Sequence, residues 1–130
     1  MTGHVIDPNG LPYAPESVRA KPEAGIEPLA ALDLRVGRIT DVQPFPEARK
    51  PAWRLTVDLG PLGMRGSSAQ LTNYEMDELL GRSVVCAVNL GARRIAGFTS
   101  ELLVLAGLEP DGTPRLLGVD GDLAPGSVVA

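Results

Sequence analysis

Two short basic clusters are the residues of this chain best suited to grip a charged ligand. One is Arg49-Lys50, with Arg54 just beyond it; the other, far along the chain, is Arg93-Arg94. Arginine presents a planar fork of donors that matches phosphate or carboxylate in bidentate fashion. Between the clusters, Ser67, Ser68 and Gln70 supply two hydroxyls and an amide able to bond phosphate, ribose or peptide backbone. Arg38 and Arg65 can join the same rim. Each group also has a plainer reading: arginines on loops are usually solvated surface, and small residues in a strand allow close packing.

Other chemistries lack their residues. The single cysteine, Cys86, lies in an apolar run and reads as a buried inert thiol. The single histidine, His4, sits beside the chain start. Structural zinc wants four Cys or His ligands, and a nucleophilic triad wants a well-placed base, so neither metal nor catalytic residues are expected. G-x-S-x-G is absent. Gly60, Gly63 and Gly66 are spaced for turns and form no dinucleotide or P-loop fingerprint. Glu75, Asp77 and Glu78 cluster where a short helix would begin, and there they complement its dipole. The expectation is a protein without enzymatic activity and without a cofactor.

Composition bounds the partners. The chain has 130 residues, 44% hydrophobic and 22% charged, which fits one globular domain. Twelve Lys+Arg against sixteen Asp+Glu give a formal net charge of −4, so bulk electrostatics does not draw it onto a polyanion; placement of the cations matters more. No apolar run approaches the ~18 residues of a membrane helix, and the start lacks the pattern of a signal peptide. The expected location is cytoplasmic.

Elements follow from period and punctuation. Residues 1–28 hold Pro8, Pro12, Pro15, Pro22 and Pro28 with no sustained apolar period, and read as an extended arm. From residue 29 a regular domain begins. Leu32, Leu34 and Val36 alternate with polar residues, and the phase slips at Gly37, which suggests a bulge there. Three prolines interrupt residues 43–51. Trp53, Leu55, Val57 and Leu59 then alternate with Arg54, Thr56 and Asp58, with Trp53 on the core side. Residues 64–71 return as a third strand. Thr72 and Glu75 have capping-box spacing ahead of a helix over 74–80, ended by Gly81. Residues 83–90 form a strand buried on both faces, and 102–105 resume it. Asp111-Gly112 marks a hairpin, and Val128-Val129 can pair at the end.

Five main strands with one short helix between the third and fourth describe an all-β OB-fold, a five-stranded Greek-key barrel. In that architecture ligands lie across strands two and three, between the first–second and fourth–fifth loops. Those two loops carry the basic clusters. Aromatic side chains are few, which argues for recognition of shape or backbone over stacking of unpaired bases.

The segments LDLRVGRI, FPEARKPAWRL, GSSAQLT and VNLGARRIAGFTSELLVL resemble the tRNA-binding-domain family, above all its CsaA branch. The resemblance runs from about Leu29 onward and leaves the arm outside. It implies a homodimeric OB-fold that binds tRNA by shape, and for the CsaA branch an export-related chaperone that binds unfolded precursor polypeptides. By position, Ser68 matches the family's third-strand serine. Asn89, Arg94, Gly97 and Ser100 match its N-L-x-x-x-K/R-I-x-G-x-x-S stretch. Glu47, Ala48, Arg49 and Arg93 add the branch signature. Two positions depart from the tRNA-binding relatives: Glu101-Leu102 stands where they carry a small residue and methionine, and Gly91 stands in place of a lysine.

The candidate RNA-binding residues are therefore Arg49, Lys50, Arg54, Arg65, Ser68, Asn89, Arg93, Arg94 and Ser100. For a polypeptide ligand the candidates are Phe45, Ile95 and Phe98, lining an apolar pocket near a dimer seam; the alternative is that these three close the barrel ends. Val128-Val129 is the segment expected to extend onto a partner copy.

Overall fold

The structure, a computed structural model, describes residues 10–130, so His4 lies outside the described residues. Strand β1 (Leu34–Pro44) is the long element about which the sheet curls. Its first half pairs antiparallel with β4 (Ser83–Ala87), and its second half with β2 (Trp53–Asp58). The register with β2 shifts between Ile39 and Asp41, leaving Thr40 as the extra residue. That bulge bends the strand from one partner toward the next.

The slip was expected at Gly37, which turns out to serve packing instead. A Cβ there would lie 2.5 Å from Val57 Cγ1 and 3.3 Å from Cys86 Sγ. Only a residue without a side chain lets the wall close at that point.

Strand β3 (Met64–Ala69) runs antiparallel to β2. With β7 (Leu103–Val104) beside β4, the sheet order is β3-β2-β1-β4-β7. The chain entering β7 seals the free edge of β3: Glu101 N–H donates to Gly66 O at 2.8 Å, and Ser67 Oγ–H to Leu102 O at 3.0 Å. The result is the nearly closed antiparallel barrel of an OB-fold, the class expected from five main strands and one short helix.

Two hairpins stand off it. The β5 (Arg93–Ile95) and β6 (Phe98–Ser100) pair turns through Ala96 and Gly97, both at positive φ, as a two-residue hairpin with matched twist requires. The β8 (Ala106–Leu108) and β9 (Pro114–Leu116) pair is the Asp111-Gly112 hairpin. There Asp111 Oδ1 accepts Thr113 N–H at 2.9 Å, a bond to its charged form that lowers its pKa.

Three expectations are corrected. A helix precedes β1: α1 (Glu27–Ala31) begins with an acid and a proline, both favoured in a first turn. The expected helix, α2, is Met76–Leu79, and its capping box is Glu75 with Glu78, whose Oε1 accepts Glu75 N–H at 2.8 Å. Thr72 is not part of it, because the chain is still turning there, with Tyr74 N–H on Leu71 O. Finally, β10 (Val128–Val129) pairs with β1 of its own chain, Leu34 opposite Val129, so that strand is not spare for a partner.

The core gathers Ile39, Leu55, Val57, Leu59, Leu79, Val84, Cys86 and Leu102 inside the barrel. Trp53 packs against it as expected, its indole N–H donating to Tyr74 O at 3.1 Å. Burial pushes the Cys86 thiol up to about 12. The unfolded thiol ionises near ~8.5, so this contribution to stability is complete below about pH 8 and drains away as pH rises through that value toward 12. A thiol reagent at pH 8 should leave native Cys86 unmodified and label it fully in denaturant; rapid labelling of the native protein would contradict this burial.

Candidate nucleic-acid interface

Strand alternation decides what faces outward. On β2, Leu55 and Val57 point into the core, which leaves Arg54 and Thr56 on the outer face. Arg54 is paired across strands with Ser68, and Thr56 with Gly66, so Ser68 and Gly66 share that face. The proline-rich loop after β1 rises on one side of it, and the β5–β6 hairpin folds over from the other.

Between them lies an open cleft of about 480 Å³, lined by Ala48, Arg49, Lys50, Ala52, Ser68, Gln70, Arg93 and Ile95. One wall supplies Arg49 and Lys50, the other Arg93 and Ile95; β3 provides Ser68, and Gln70 follows at its end. Among the described residues neither Arg49 nor Lys50 has an ion-pair partner, and both border solvent. Three cations over a floor of neutral hydrogen-bonding groups can hold phosphate or carboxylate. No aromatic ring lines this cleft.

Five expected site residues thus meet at one place: Arg49, Lys50, Ser68, Arg93 and Ile95. The others stand elsewhere. Arg94 alternates away from Arg93 and donates to Thr99 Oγ1 at 2.7 Å. Arg65 donates to Val88 O at 3.2 Å. Ser100 is fully buried, and its Oγ accepts Ser68 N–H at 3.0 Å, fastening β6 along β3. Asn89 uses both ends of its amide on the chain entering β1, accepting from Asp33 N–H and donating to Ala31 O, each at 2.8 Å. Phe45 and Phe98 neither line this cleft nor plug the barrel; they pack on its outer face around Arg54. Phe45, only 5% exposed, also borders a separate depression of about 370 Å³ with Pro46 and Pro51.

Gln70, read beside the serines as an amide able to bond phosphate, ribose or peptide backbone, lines the cleft with Ser68. Glu101 braces the edge of β3, where its Oε2 accepts Gly66 N–H at 3.1 Å.

A small barrel with a cationic cleft across its second and third strands, walled by two loops, defines a binding domain of the OB-fold class. The chain belongs to the tRNA binding domain family, whose family model matches residues 34–128. It is 43% identical to the chaperone CsaA of Bacillus anthracis, with a TM-score of 0.78 and coverage of 83% of this chain and 99% of that one. The CsaA chaperone protein of Picrophilus torridus gives 40% identity, the same TM-score, and coverage of 83% and 100%. Among curated relatives, a methionine–tRNA ligase of Protochlamydia amoebophila is 34% identical over 115 residues, which are 88% of this chain and 16% of the ligase. The chain therefore spans only a small part of the ligases it matches.

Proposed function

We propose that this chain is a non-catalytic tRNA-binding module that recognises tRNA by shape and phosphate contacts, working in the cytoplasm. The observation that carries the reading is the cleft in which Arg49, Lys50 and Arg93 converge over Ser68 and Gln70. Its lack of aromatic lining favours the sugar–phosphate backbone over stacked bases. Membership of a family of tRNA binding domains adds to it.

Titrating bulk tRNA at rising salt tests the proposal. Three phosphate contacts give a slope of log K against log salt of about −2.7, at about 0.9 per contact. Binding that ignores salt would refute it.

A second reading is a chaperone that binds unfolded polypeptide. Ala48, Ala52 and Ile95 give the same cleft an apolar side, and the CsaA structures carry that description. An extended, partly apolar peptide displacing tRNA at low salt supports it; failure of such peptides to bind removes it.

Two copies fit either ligand. Leu29, Leu32 and Val128 are exposed where α1 and β10 flank the start of β1, an apolar face for a symmetric partner. Sedimentation should show twice the 13.7 kDa chain mass.

A further inference from the structure

We infer that Arg54 is a positioning residue: its guanidinium, clasped by Phe45 and Phe98, ties together the two walls of the cleft. The inference rests on the tRNA-binding reading for its consequence and on geometry for its existence.

The Arg54 guanidinium carbon lies 5.5 Å from the ring centre of Phe45 and 5.7 Å from that of Phe98. The rings meet edge to face, 5.6 Å apart at 71°. Phe45 is the first residue after β1 and opens the loop that carries Arg49 and Lys50. Phe98 begins β6, the return strand of the hairpin that carries Arg93. One cation from the sheet thus touches the loop wall at its root and the hairpin wall beside its turn, where Phe98 pairs with Ile95.

Room for this contact is built into the sheet. A Cβ on Gly66 would lie 2.9 Å from Phe98 Cζ and 3.2 Å from Thr99 O, so the hairpin lies flat there only against glycine.

The buried Nε of Arg54 has no hydrogen-bond partner among the described residues. A ligand cannot reach that nitrogen, so it does not serve as a phosphate hook. The cost of the unpaired donor is offset by two ring contacts, which strengthen when water is excluded. The planar guanidinium suits this stacking, whereas a lysine ammonium is a point charge on a flexible stem.

The test uses the full chain with bulk tRNA as probe, alongside Arg54→Met and Arg54→Lys. In free wild-type protein the Arg54 side-chain resonances should be shifted upfield by the two rings. In Arg54→Met, circular dichroism is retained. The amides of Ala48 and of the β5–β6 hairpin exchange together about tenfold faster, and tRNA affinity falls about tenfold at an unchanged salt slope. Arg54→Lys restores only part of the affinity.

A slope shallower by about 0.9 identifies Arg54 as a direct phosphate contact and overturns the inference. Unchanged affinity, unshifted wild-type resonances or full rescue by lysine also overturn it. If Arg54→Met fails to fold, the wild-type resonances and Arg54→Lys still decide. Salt-independent binding by the wild type defeats the tRNA reading alone, since the resonances and the coupled exchange test the clasp without any nucleic acid.

Discussion

Replacing Arg49, Lys50 and Arg93 together by alanine should remove nearly all salt-dependent tRNA binding. All three line one cleft, and each cation withdrawn from a phosphate flattens the slope by about 0.9. A fourfold rise in salt should then weaken the wild type about fortyfold more than the triple variant, from the same slope. Arg49 and Lys50 are exposed and form no ion pair among the described residues, so replacing those two alone should change thermal stability little. The control is Arg94→Ala: Arg94 donates to Thr99 instead of lining the cleft, and its removal should leave the slope within the error of the measurement. A triple variant as salt-sensitive as the wild type would place the phosphate site elsewhere.

The largest drop in stability is expected from Gly37→Val. The first carbon added there meets Val57 at 2.5 Å, Leu59 at 3.2 Å and Cys86 at 3.3 Å, all side chains of the filled core. Overpacking of this kind costs about 1–3 kcal/mol, and three constrained neighbours place this case at the upper end. The melting temperature should drop by about 10 °C. Gly63→Ala gives the comparison: nothing lies within 4 Å, so overpacking is absent and the cost is backbone strain alone, since φ +84° with ψ −169° is a conformation kept almost wholly to glycine. If Gly37→Val melts like the wild type, the wall is looser than drawn.

Gly37 also shows where sequence reading stops. Alternation along Trp53 to Leu59 revealed β2, its core face and its outward Arg54, because a period of two survives any tertiary context. The slip in β1 was legible as well, but its position was not. A glycine can mark a bulge or a close approach, and only Val57 and Cys86 facing it decide which. The capping box was read at Thr72 and Glu75, but the turn at Leu71 to Tyr74 delays the helix and puts the box at Glu75 and Glu78. The loops that form the cleft were found from charge and fold order. Which arginine of the Arg93-Arg94 pair faces inward depended on the hairpin register. The triad of Phe45, Arg54 and Phe98 left no local signature, since its members come from three elements and meet only when the barrel closes.

Strand β1 is laced on one edge by β2 and β10 and on the other by β4, and Leu34 finds Val129 almost a whole domain away in the chain. Encounters between such remote stretches are slow to arise by chance, and proteins dominated by them take milliseconds to seconds to reach their native state. This barrel should accordingly be a sluggish folder whose last-formed contact is the β1–β10 seam. A nascent chain would leave the edge of β1 from Leu34 to Val36 unpaired until that seam is made.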